Sequence, residues 1–325
     1  MAILSGRKGG RALSRIAVAA IAAALVGTTA GAASADSAPS ADVVKVAQKF
    51  AQAQAKVNVK AKESGSASQR AFAAGNETPA AETFPLIAAE GSGQAYMYPP
   101  NGSGGFGDRA DMGTGWQLWS QASQVDNNKD GVSDALYLLG TNSHLYYTPI
   151  EENPAVKDLG AGWDAYNLVF SPGNLAGAPA DDLIARDKSG VLWLYTAKGD
   201  GSFTPPVKLG GGWGVMTKIA GRGDMNGDGK ADIIAVDNAG TGWLYPGTGN
   251  WAAPFGNRVK LGAGWNTYNK LVGLGDLDFD GKADLVGRDA SGGLWFYAGT
   301  GTTNGAPFKD RVKVGTGWNG MRLMF

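Results

Sequence analysis

The 325-residue sequence predicts an all-β fold, a five-bladed β-propeller, and three observations carry that prediction. First, Gly-Trp recurs with Trp116, Trp163, Trp213, Trp265 and Trp318, at spacings of 47, 50, 52 and 53 residues. Second, each interval reads as four short apolar runs separated by turn signals, the content of one propeller blade. Third, the repeat is cut in complementary ways at its two ends. Leu86–Tyr98 ("LIAAEGSGQAYMY") aligns without gaps on Leu183–Tyr195 ("LIARDKSGVLWLY"), so the repeat region starts on the second strand of a unit. The chain ends at "GWNGMRLMF", which is a first strand and nothing more. Four whole units and two fragments make five blades, with the C-terminal strand pairing into the N-terminal blade. Such closure removes the free edges of an open sheet.

Before the repeats lie two other regions. Residues 1–35 have a basic start (Arg7, Lys8, Arg11, Arg15), an apolar run from Ile16 to Val26 and a small-residue end at Ala33-Ser34-Ala35. That is the pattern of a secretory signal cleaved after Ala35, and the run is too short to span a bilayer. Residues 36–82 are rich in Ala, Ser, Lys and Gln. Val43, Val46, Ala47, Phe50 and Val57 are helix-spaced, so this linker carries either a helix over 41–62 or disorder. The propeller follows over 83–325.

The last unit is the cleanest copy, with strands expected at 268–275, 284–288, 293–298 and 309–315. "DASGG" is its tight turn, and an acidic loop joins its first two strands. Gly221, Gly223, Gly273 and Gly275 suit a first strand crowded near the ring axis. With no Cys, an exported chain has no disulfides, so a large core or bound metal must stabilise it. Removing the leader leaves 25 basic and 29 acidic residues, a balance unlike a nucleic-acid binder. No later segment is apolar enough to cross a membrane. The expected product is secreted, extracellular and monomeric.

The acidic loops carry the chemistry. Their pattern is Asp-x-Asn/Asp-x-Asp-Gly-x-x-Asp, and it occurs three times: Asp126, Asn128, Asp130, Asp134; Asp224, Asn226, Asp228, Asp232; and Asp276, Asp278, Asp280, Asp284. Gly131, Gly229 and Gly281 sit at position six, where the loop must turn sharply. Oxygen ligands at alternate positions of a tight loop suit Ca²⁺, with a backbone carbonyl from position seven (Val132, Lys230, Lys282). Position twelve is Tyr137, Ala235 or Gly287, none of them a ligand, which excludes an EF-hand. In the unit from Trp163 the loop is "NLAGAPADD", and in the split unit Pro85 takes the last acidic place. Three Ca²⁺ ions are therefore expected, not five.

These repeats resemble FG-GAP/VCBS repeats, the calcium-loop propeller repeats also found in integrin α heads. The likeness covers 84–325 and rests on "DxDxDGxxD(L/I)…GxLWxY". The five-fold count and the "GW…LMF" ending also resemble five-bladed tachylectin-type lectins, which lack the acidic loop. Together these resemblances imply an extracellular binding or scaffold propeller, with a glycan or an extracellular protein as partner. Trp193, Trp243 and Trp295 on the third strands are candidates for sugar stacking, with blade-to-blade packing as the alternative. Trp119 and Trp251 stand outside the repeat pattern and are expected as exposed contacts. No catalytic residue is expected: His144, the one histidine, has no nucleophile motif near it. A binding module for glycans or cell-wall polysaccharide is the first reading. A protein–protein or adhesion scaffold is the second, and a secreted hydrolase the third.

Overall fold

The computed structural model describes residues 41–64, 81–303 and 306–325. The expected leader, residues 1–35, lies outside them. The helix α1 spans Ala41–Ser64. Blade 1 holds β1 (Leu86–Glu90), β2 (Ala95–Tyr98) and β3 (Ala110–Gly113). Blade 2 follows with β4 (Trp119–Val125), β5 (Ala135–Gly140), β6 (Leu145–Pro149) and β7 (Lys157–Asp158). Blade 3 has β8 (Tyr166–Gly173), β9 (Asp182–Asp187), β10 (Leu192–Tyr195) and β11 (Val207–Gly210). Blade 4 has β12 (Met216–Ala220), β13 (Ile233–Asp237), β14 (Gly242–Tyr245) and β15 (Val259–Gly262). Blade 5 has β16 (Tyr268–Gly275), β17 (Asp284–Asp289), β18 (Leu294–Tyr297) and β19 (Val312–Gly315). The last strand, β20 (Met321–Met324), completes blade 1, whose order is β20-β1-β2-β3.

Closure is antiparallel. Ala88 faces Met324 and Ala89 faces Leu323. Beyond the strand end, Ile87 and Phe325 exchange backbone hydrogen bonds at 2.9 and 3.0 Å. The gapless alignment of the two hairpins holds in register: Leu86 pairs with Tyr98 as Leu183 pairs with Tyr195.

The Gly-Trp signal has a backbone cause. Gly115, Gly162, Gly212, Gly264 and Gly317 all take positive φ, between 82° and 108°, and each leads into a one-turn 3₁₀ helix that starts on the Trp. A side chain at such a φ is strained, which is why glycine stands there. The turn then feeds the next inner strand. Four of these indoles pack on the tyrosine that ends a third strand: Trp163 on Tyr195, Trp213 on Tyr245, Trp265 on Tyr297 and Trp318 on Tyr98, with centroids 4.7–5.1 Å apart. A phenylalanine completes each cluster (Phe203, Phe255, Phe308, Phe106).

The fifth junction is different, and α1 explains how. Blade 2 carries Thr148 and Val156 where the other blades carry the tyrosine and the phenylalanine. Val43, Val46, Phe50 and Ala53 of α1 are buried in the same cluster as Trp116, Met97, Met112 and Tyr146. Lys49 Nζ also donates to the carbonyl of Thr114 at 3.3 Å, and Gln48 Nε2 to that of Glu152 at 3.1 Å. The Ala-rich run without Gly or Pro favours the helix, and the apolar stripe docks it against blades 1 and 2. The expected linker thus carries a packed helix that substitutes for two missing aromatic side chains.

Arginines clamp three other contacts between blades. Arg186 of β9 and Arg288 of β17 each reach into the next blade: Arg186 to the carbonyls of Trp213 and Met216, Arg288 to those of Trp318 and Met321. Arg322 of β20 reaches those of Trp116 and Trp119.

Candidate calcium loops and the axial crosspiece

The three acidic loops all join a first strand to a second and lie at one end of the ring. Each folds around its first Asp. Asp276 accepts the amides of Asp280 (3.1 Å) and Gly281 (2.8 Å). Asp126 accepts those of Lys129 (2.6 Å) and Gly131 (2.8 Å), and Asp224 that of Gly229 (2.6 Å). Position six has φ of 81–88° in all three loops, as the sharp turn requires. Position four is also left-handed: Lys129 (61°), Gly227 (86°) and Phe279 (60°). The amides of Val132, Lys230 and Lys282 at position seven donate back to Asp130, Asp228 and Asp280 at 3.0–3.1 Å.

The loops differ in how far their oxygens converge. In blade 5, carboxylate oxygens of Asp276, Asp278 and Asp284 all lie within 4.8 Å of one another. In blade 4 the amide nitrogen of Asn226 lies 3.3 Å from Asp232 Oδ1, and in blade 2 that of Asn128 lies 3.1 Å from Asp130 Oδ2. Burial pushes Asp276 up to about 6 and Asp284 up to about 7, and raises Asp278 above the usual carboxylate range. Gathered, dehydrated carboxylates of this kind fit a hard divalent cation, which would supply the missing positive charge.

Position nine has a second duty. Asp284 accepts the amides of Leu277 and Gly299, both at 2.8 Å, and so ties its loop to the segment after the third strand. Asp232 does the same with Met225 and Gly247. In the degenerate loop of blade 3, Asp182 keeps this pattern with Leu175, Ala176 and Ala197. The last Asp is therefore a structural tie wherever it occurs, and the lost ligands of blade 3 are those at Ala176 and Ala178.

Sequence reasoning missed the residues between these loops. Ala81–Phe84 run across the ring axis as a crosspiece. The amide of Thr83 donates to Gly131 O (2.8 Å) and that of Phe84 to Leu274 O (2.9 Å), while Glu82 O accepts from Asp276 N (2.8 Å). Arg222 is the hub. It pairs with Glu82 at 2.9 Å and with Asp181, and its guanidinium lies 3.7 Å from the centre of the Phe84 ring. Asp181 Oδ2 also accepts from Asp126 N at 2.8 Å, and Gln124 Nε2 donates to Pro85 O at 2.8 Å. Arg222 and Asp181 are 2% and 1% exposed, so this is a buried ion cluster that touches the first residues of two acidic loops. Burial pushes the Glu82 carboxyl above its usual range, against the pull of Arg222.

The tryptophan candidates divide. Trp119 is 2% exposed, which corrects its expected role as a surface contact. It holds the inner-strand position of Tyr166, Met216 and Tyr268, each paired with the end of its second strand, and that position packs between blades. Trp193, Trp243 and Trp295 are half-buried, and their indole N–H groups donate to Asp187, Asp237 and Asp289 at 2.6–2.9 Å. Arg258 lies over Trp243 (3.9 Å) and Arg311 over Trp295 (4.3 Å), each covering one ring face. Trp251 is 57% exposed, on the loop between β14 and β15. His144 pairs with Asp158 at 2.9 Å and stacks on Tyr146.

A comparison with known families bears on two of the loops. Residues 224–287 match the family model of an FG-GAP-like repeat. The FG-GAP-like stretch runs from the first ligand position of the blade 4 loop through the whole blade 5 loop. No curated protein matches the chain. Among solved structures, human WBSCR16 is similar at 10% identity over 67% of this chain and 61% of its own, with a TM-score of 0.33. The chain thus spans less than two thirds of that protein. The BP39L lectin from Burkholderia pseudomallei is similar at 13% identity over 74% of this chain and 69% of its own (TM-score 0.39). AofleA from Arthrobotrys oligospora is similar at 12% identity over 73% and 71% (TM-score 0.37). No helix among the described residues is long and apolar enough to cross a membrane.

Proposed function

We propose that this chain is a secreted, non-catalytic binding module: a propeller stabilised by about three Ca²⁺ ions that binds glycans, such as cell-wall polysaccharide. The observation that carries the glycan reading is a cleft of about 660 Å³ at the junction of blades 4 and 5. Trp265, Tyr297 and Phe308 line it beside Lys260, Asp310 and Arg311. Aromatic surface flanked by fixed donors and acceptors suits a sugar ring, which has apolar faces and a hydroxyl edge. The Asp276–Asp278–Asp284 cluster and the FG-GAP-like stretch support the calcium part. A second reading, contact with an extracellular protein, draws on Val215, Trp251 and Val312, which are 50–57% exposed.

A glycan array probed with the purified protein, with Ca²⁺ and with chelator, tests the first reading. We expect retention on a restricted set of glycans, lost in Arg311→Ala at unchanged melting temperature. Absence of binding to every glycan at saturating Ca²⁺ would rule it out and leave protein contact. Turnover in a polysaccharide hydrolysis screen would overturn the non-catalytic assignment.

A further inference from the structure

The inner strands β4, β8, β12, β16 and β20 enclose an axial cavity of about 150 Å³. Phe84 and Arg222 line it from the acidic-loop end, where the crosspiece runs, and both are buried. The cavity is therefore a funnel with a floor. No Asp or Glu lines it, whereas Lys270, Arg322 and Arg222 do.

The three cations are not equivalent. Arg222 is committed to Asp181 and Glu82, and Arg322 to the carbonyls of Trp116 and Trp119. Lys270 has no hydrogen bond or ion pair among the described residues. Across the strand pair it faces Arg288, a like charge. Lys218, at the same register of the neighbouring inner strand, likewise lacks an acid and donates to Thr217 Oγ1 alone. On the opposite wall, Gln121 uses its carbonyl on Val169 N at 2.6 Å, which leaves its amide nitrogen without a partner among the described residues.

We infer that the axial funnel is a binding site for a small carboxylate, with the Lys270 ammonium as its counter-charge. An uncompensated ammonium in a half-buried wall is costly, and an anion there offsets both the desolvation and the repulsion from Arg288. Those two causes, burial first, hold Lys270 down to about 8, so it is still charged at neutral pH. A cavity near 150 Å³ admits a group about the size of benzene. One free cation balances one negative charge, which favours a monocarboxylate over a doubly charged phosphate. The site is separate from the peripheral cleft and the acidic loops, so it stands or falls independently of the glycan and calcium readings.

Titration calorimetry on the purified protein tests it, with benzoate and its neutral isostere benzamide. We expect benzoate to bind one site per chain at least tenfold more tightly than benzamide. Lys270→Leu places the residue of Leu168 and Leu323, which hold this ring position in blades 3 and 1, so it should fold and lose at least tenfold in benzoate affinity. Lys270→Glu should reverse the preference and take benzylamine over benzoate. Glucuronate against glucose separates the two sources of carboxylate: binding of glucuronate points to an acidic sugar, and its failure beside benzoate binding to a free organic acid. Equal affinity for benzoate and benzamide, or undiminished benzoate binding by Lys270→Leu, would overturn the assignment.

Discussion

Replacing Arg222 with Met should be among the most damaging single changes in the ring. Methionine keeps much of the stem volume, so the loss is mainly electrostatic. Asp181, 1% exposed, is left with no cation beside it, and Glu82 loses its ion pair. Removing one partner of a buried pair costs about 3–5 kcal/mol. The guanidinium over Phe84 adds about 1 kcal/mol more. The sum, about 4–6 kcal/mol, corresponds to a fall in melting temperature of roughly 10–20 °C, at about 2–4 °C per kcal/mol for a domain of this size. Urea unfolding followed by tryptophan fluorescence gives the free energy, and calorimetry gives the melting temperature. The triple variant Arg222→Met, Asp181→Asn, Glu82→Gln should recover much of the loss, because a neutral cluster leaves no charge stranded. A single-variant loss below about 1 kcal/mol, or no recovery in the triple variant, would refute the view of the crosspiece as a structural hub.

Two further outcomes follow from the packing and the charges. Phe50→Ala removes a fully buried ring from the α1 contact, at about 3–5 kcal/mol if the helix stays docked. The helix should instead detach, and limited trypsin digestion would then cut at Lys45, Lys49 or Lys56 well before the blades; unchanged protection would contradict the docking. Lys270→Leu should change the pH dependence of stability. The unfolded chain keeps the Lys270 proton up to about 10.5 and the folded chain only to about 8, so the parent gains stability as pH rises through that window. The variant lacks this gain. Its advantage over the parent should be largest below pH 8, at most about 3 kcal/mol and less for a half-exposed group, and should shrink toward pH 10.5. An advantage that does not vary with pH would contradict the burial of that charge.

The blade count was legible because a closed ring leaves a signature: a second strand at the start of the repeats and an orphan first strand at the end. The acidic loops were legible because cation ligation demands fixed spacing. Trp119 was misread by residue type, when its register places it with Tyr166, Met216 and Tyr268 between blades. The docking of α1 had a faint sign, Thr148 and Val156 where the other blades carry Tyr and Phe. That gap shows something must cover Trp116 but not what. Arg222 gave no sign at all: Gln124 and Leu274 hold its place in neighbouring blades, and its partners come from residues 82 and 181, brought together by ring closure alone.

Metal content, paired with thermal melting, tests the central claim most directly. The purified protein should retain about three Ca²⁺ per chain, and Asp280→Ala should lower that number by one. Chelation should lower the melting temperature, since each ion held at 100 times its Kd contributes about 2.7 kcal/mol. Changing Ala178, in the degenerate loop of blade 3, should alter neither quantity. A calcium content near zero with no thermal shift on chelation would contradict the account and leave "GDMNGDGKADIIAVD" as an acidic turn.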